Sequence, residues 1–132
     1  MTGAVRDRLL DAHRPTLERA LSCADAVAAG WEGEATTDRE AVVGPYRALL
    51  ERAGLLEALA AALVDAVESA GYELAAQPVP DVPYLAVTGQ GVVLRGSTGD
   101  GRVVVTLRAF EVDPYRRGPG LPAALVVETK GR

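Results

Sequence analysis

Five arginines fall between Arg95 and Arg117 (Arg95, Arg102, Arg108, Arg116 and Arg117) against Asp100, Glu111 and Asp113, a local positive excess in a chain of net charge −4. Arginine forks match carboxylate and phosphate, and the neighbouring Tyr84 and Phe110 offer rings for a flat ligand or a base. The binding set the sequence presents is therefore Tyr84, Arg95, Thr106, Arg108, Phe110, Arg116 and Arg117. Two further readings compete with it. Arginine stems can simply cover a sheet face and pair with acids of the helical half, and the face can serve a protein partner or a second copy.

Other constellations fall short of chemistry. His13, the one imidazole, stands between Leu9 and Leu17 on an apolar stripe, the position of a hydrogen-bonded, partly buried histidine rather than a catalytic base. Cys23 reads as a small packing residue at the edge of the same stripe. Gly96-Ser97-Thr98-Gly99-Asp100-Gly101 lacks the Gly-Lys-Ser/Thr ending of a phosphate loop and joins two strands, whereas such loops open a helix. Gly89-Gln90-Gly91 fails the dinucleotide pattern for the same reason. Acids at Glu32, Glu34, Asp38 and Glu40 lie on turns or caps, and no calcium loop is present. No base, nucleophile, metal set or cofactor motif can be named, so the expectation is a non-enzymatic protein.

The elements that position these residues follow from hydrophobic period. Val5, Leu9, His13, Leu17, Leu21, Ala24 and Ala28 form one helical stripe over Ala4–Ala29, with Pro15 producing either a kink or two helices meeting. Thr37-Asp38-Arg39-Glu40 has the form of a capping box, opening a helix through Arg52 that Gly44-Pro45 interrupts. Gly54 suits a left-handed cap, and Leu55–Ala70 is a third amphipathic helix closed by Gly71. Gln77–Pro83, with three prolines, reads as an extended linker.

Strand patterning follows, at Tyr84–Thr88, Val92–Ser97 and Arg102–Val112, with Ala123–Glu128 as a fourth strand. A two-residue turn at Gly89-Gln90 pairs Thr88 with Gly91, and a four-residue loop Thr98–Gly101 pairs Ser97 with Arg102. Both hairpins then place Leu85, Val87, Val92, Leu94, Val103, Val105 and Leu107 on one face. Tyr84, Ala86, Thr88, Val93, Arg95, Val104, Thr106, Arg108 and Phe110 fall on the other, a mixed apolar and arginine face. Asp113–Pro122 is an exposed loop, and 129–132 a frayed tail.

Composition bounds the rest. A chain of 132 residues, 48% hydrophobic and 24% charged, suits one domain with a real core (helical half 1–71, linker 72–83, β-meander 84–128). The run Ala58–Val64 is far short of the roughly 20 apolar residues of a membrane span. With no secretory leader, the expectation is a cytoplasmic protein that does not bind membranes. The acidic balance argues against a general nucleic-acid binder. One Cys and one His exclude a disulfide framework and a zinc cluster. All basic residues except Lys130 are Arg, and Asn and Ile are absent, a skew of GC-rich genomes that also suits a salt-adapted proteome.

The capping box, the proline linker and Tyr84-Leu85-Ala86-Val87-Thr88…Gly91-Val92-Val93-Leu94-Arg95 together resemble a small haloarchaeal family of unknown function, over residues 5–112. That resemblance implies a cytoplasmic protein at high salt and brings no catalytic residues. The expected fold is α+β, three or four N-terminal helices on a C-terminal antiparallel β-meander of three to four strands. The expected role is a protein-interaction or self-associating module. The alternative is an anion- or nucleic-acid-binding module on the arginine face.

Overall fold

A computed structural model describes residues 1–131. Helices α1 (Thr2–Ala12) and α2 (Arg14–Ala29) meet at His13, so Pro15 marks a true break rather than a kink. Proline has no N–H to donate to the carbonyl four residues back, and α2 takes it into its first turn, where that loss costs nothing.

The same rule governs the next junction. Pro45 cannot donate to Ala41, so the stretch after Thr36 forms only a 3₁₀ turn at Arg39–Ala41, and the Ala41 carbonyl accepts from Trp31 Nε1 at 3.0 Å instead. Helix α3 (Val43–Arg52) starts afresh with Tyr46 N–H on the Val42 carbonyl. The capping box is thereby corrected: Asp38, not Thr37, caps this turn, its Oδ1 accepting from Glu40 N–H at 3.0 Å. Gly54, at φ +70°, supplies the left-handed residue between α3 and α4 (Leu55–Ser69).

Seven strands complete the described chain. β1 (Ala35–Thr36) precedes α3; β2 (Leu85–Thr88), β3 (Gly91–Thr98), β4 (Gly101–Arg108), β5 (Phe110–Glu111), β6 (Tyr115–Arg117) and β7 (Leu125–Lys130) follow the proline segment. They form two antiparallel sheets, β2-β3-β4-β7 and β1-β6-β5. The fold is α+β. Both hairpin registers are those the turns imply, with Leu85 opposite Leu94 and Leu94 opposite Val105. Strands β3 and β4 run to Thr98 and Gly101, so Gly99-Asp100 is a two-residue turn, shorter than the expected loop.

Three further expectations need correction. The strand expected to run on through Val112 stops at Arg108. Ala109 N–H turns back to the Leu107 carbonyl, and Phe110 N–H reaches Gln90, which resets the alternation so that Ala109 and Phe110 are both buried. The expected Asp113–Pro122 loop holds β6, the middle strand of the small sheet. Of the expected frayed tail, Thr129 and Lys130 belong to β7, while Arg132 lies outside the described residues.

Helices α1, α4 and α3 pack over β7, β3 and β2. Leu85, Val92, Leu94, Val103, Val105, Leu107 and Leu125 from the inner sheet face join Leu9, Leu17, Leu50, Leu59 and Leu63 in one continuous core. Tyr46 belongs to it and is fully buried. Burial pushes its phenol up, and the hydroxyl donates to the Ala20 carbonyl at 3.0 Å.

Candidate functional site

The helices cover one face of the four-stranded sheet, and the other face carries the arginines. Pairing across the strands sets its rows: Ala86–Val93–Thr106–Val126, then Arg95–Val104–Glu128, with Arg108 beside Gly91 and Arg102 beside Lys130. Tyr84 continues the Arg95 row, its carbonyl accepting from Arg95 N–H at 2.8 Å. Val93 and Val104 retain 9% of their exposure yet lie outside the continuous core.

Charge on the face is one-sided. Arg95, Arg102, Arg108 and Lys130 stand against Glu128, on a chain whose net charge is −4. Among the described residues none of these five is in an ion pair. The expectation that the strand arginines pair with acids of the helical half therefore fails for Arg95, Arg102 and Arg108, and holds for Arg117 alone.

Of the seven sequence-derived site residues, Tyr84, Arg95, Thr106 and Arg108 share this face. The other three are elsewhere. Phe110 is 1% exposed and packs edge to face on Tyr46 and against Trp31. Arg117 is a structural tie: Nε donates to Asp25 at 2.7 Å, and one terminal nitrogen donates to the Ala109 and Gly118 carbonyls. Arg116 is exposed on β6, opposite Glu111 and Ala35. Removal of Phe110 leaves Tyr84 as the one ring of the set on the same face as the strand arginines.

Sequence reasoning left Arg102, Glu128 and Lys130 out of the face. Arg102 has the parity of Val104 and was within reach of the same alternation. The β7 residues were not, because the register of β7 follows a long connection through a second sheet.

His13 is half-buried and its Nε2 lies 2.6 Å from Asp65 Oδ2, while Arg8 grips the same carboxylate through Nε at 2.9 Å and a terminal nitrogen at 3.3 Å. The Arg8 and His13 hydrogen bonds hold the Asp65 carboxyl well below the ordinary range. This is a clamp of the α1–α2 junction onto α4. Cys23, half-buried against the core, has its thiol pushed up by burial.

Surface hollows near Trp31 and near Tyr72 are open to solvent, and a third, also open, brings Asp25, Glu34, Arg116 and Arg117 together. Among the described residues no group of three or more His, Cys, Asp or Glu could hold a metal ion, and no helix is long and apolar enough to cross a membrane. A family model described as a domain of unknown function (DUF7988) matches residues 3–130. No curated protein and no solved structure matches the chain.

Proposed function

The chain belongs to that family of unknown function, and from its own surface we propose a non-enzymatic interaction module whose uncovered sheet face docks an acidic surface of a partner protein. The observation that carries this reading is the set of unpaired cations, Arg95, Arg102 and Arg108, on a face that the helices leave bare. Unpaired guanidinium groups held on a rigid sheet are preorganised for carboxylates. Their stems and the recessed Val93 and Val104 supply the apolar floor such a contact needs.

Two alternatives are weaker on this face. A second copy docking face to face would set like charges against like, which disfavours that mode of self-association. Nucleic acid would meet an acidic protein with one ring on the face. A cytoplasmic setting and a salt-adapted host belong to the same proposal and rest on composition.

Titration calorimetry with a poly-glutamate peptide and with a single-stranded oligonucleotide of equal charge tests the reading. The expected result is peptide binding that weakens with added salt and is lost in an Arg95→Ala, Arg108→Ala double variant. Binding unchanged in that variant would falsify the assignment. Tighter binding of the oligonucleotide would move the face to the anion-binding reading.

A further inference from the structure

Among the described residues β7 is an outer strand of the large sheet, with β4 on one side and no strand on the other. Arg108 N–H donates to the Ala124 carbonyl at 2.7 Å, which fixes the phase of the β4–β7 ladder. In antiparallel pairing the residues that face the partner strand alternate. Val126, Glu128 and Lys130 thus turn their backbone groups towards β4, while Leu125, Val127, Thr129 and Gly131 turn theirs to the free edge. The Leu125 N–H is satisfied by Pro122. A donor and acceptor array at Val127, Thr129 and Gly131 is left pointing outward.

Side chains at this edge are just as specific. Lys130 stands directly opposite Arg102, like charge against like, and Glu128 stands opposite the apolar Val104. Like charges in direct register destabilise a sheet unless a counter-charge lies nearby. A carboxylate on the far side of Lys130 would supply one.

We propose that β7 pairs antiparallel with β7 of a second copy about a two-fold axis, so that the two four-stranded sheets become continuous and Glu128 of each copy lies opposite Lys130 of the other. Hydrogen-bonded pairs must join outward-turned residues, and this limits the central registers to three. Centring on Val127 places Glu128 opposite Val126. Pairing Val127 with Thr129 places Glu128 against Glu128. Centring on Thr129 pairs Thr129 with Thr129 and Val127 with Gly131, and it alone sets Glu128 opposite Lys130, twice by symmetry. Charge selects this register. The edge borders the arginine face, to which Glu128 and Lys130 also belong, but its occupant is another copy of this chain rather than an acidic partner.

Sedimentation equilibrium and light scattering of the whole chain test the proposal, with Arg95→Ala as a face variant that should stay dimeric. The wild type is expected to dimerise. Glu128→Lys and Lys130→Glu should each weaken the dimer about tenfold or more by facing like charges, and the double exchange should restore it. Thr129→Pro, whose N–H makes no bond to β4, should yield a monomer with an unchanged circular dichroism spectrum. A monomeric wild type at millimolar concentration overturns the pairing, as does a dimer indifferent to Thr129→Pro. Single exchanges that dissociate the dimer without rescue by the double exchange overturn the register.

Discussion

The rings of Tyr46 and Phe110 meet edge to face, their centroids 5.2 Å apart and their planes at 88°. This contact joins helix α3 to the start of the small sheet, and Trp31 adds a third ring 6.0 Å from Phe110. Phe110→Ala empties a fully buried site between three elements and is expected to cost about 3–5 kcal/mol in urea unfolding. Phe110→Leu should cost less, because part of the volume is kept. A loss below about 1 kcal/mol for the alanine variant would place Phe110 outside the core.

Acid should loosen the clamp on α4. The Asp65 carboxyl is held below its ordinary range by Arg8 and His13, so the folded state binds its proton less readily than the unfolded chain does. The stability it contributes is complete above the unfolded carboxylate value of about 4 and is lost as pH falls towards the folded value. In thermal melts, Asp65→Asn should lie below wild type at neutral pH and converge with it in acid. A gap that stays constant from neutral pH down to pH ~2 would remove the carboxylate from the account.

Arg117 should not tolerate lysine. Its guanidinium donates in three directions, to the Asp25 carboxylate and to two backbone carbonyls, which an ammonium on a flexible stem cannot reproduce. Arg117→Lys is expected to destabilise by about 1–2 kcal/mol, and Arg117→Met by more, through the Gly118 carbonyl left without its guanidinium donor and the Asp25 carboxylate left without its partner. Hydrogen exchange at β6 is the sensitive measurement, since protection there should fall before global stability does.

Gly91 starts β3 at φ +142°, and a Cβ built there would lie 2.0 Å from the Leu107 carbonyl oxygen. Gly91→Ala therefore has to shift the β3–β4 ladder and should cost about 3 kcal/mol in chemical unfolding. Gly99→Ala, in the exposed turn with open space around it, should cost far less.

The hairpin registers were legible because each is fixed by a short connection, read as two residues at Gly89-Gln90 and as four at Thr98–Gly101, and checked by a common apolar face. Leu85, Val92, Leu94, Val105 and Leu107 are buried together as that arithmetic requires. Local rules also located the breaks at Pro15 and Pro45, though not their exact form. Phe110 was misplaced because strand alternation carries no sign of a reset one residue earlier; the Gln90 carbonyl that takes Phe110 N–H, and the Gly118 N–H and Arg117 guanidinium that donate to the Ala109 carbonyl, are contacts of the fold. Asp65 meets His13 and Arg8 across more than fifty residues of chain. Arg117 meets Asp25 at greater separation still, and no local pattern encodes either pair. Arg95 and Arg108 were placed on one face by parity alone, and there the structure puts them.

The smaller sheet has a bearing on how the chain holds together when it is cut. β1 comes from the segment between α2 and α3, yet it pairs with β6, far along the chain. The proline segment 77–83 is the natural point of proteolytic attack, with Val79 and Val82 both largely exposed. A nick there would free two ends but separate no hydrophobic partners, since strands of both fragments share a sheet and a core. The two pieces should co-elute as one particle under native conditions and come apart only in denaturant, like a clasp whose halves stay shut after the thread between them is severed.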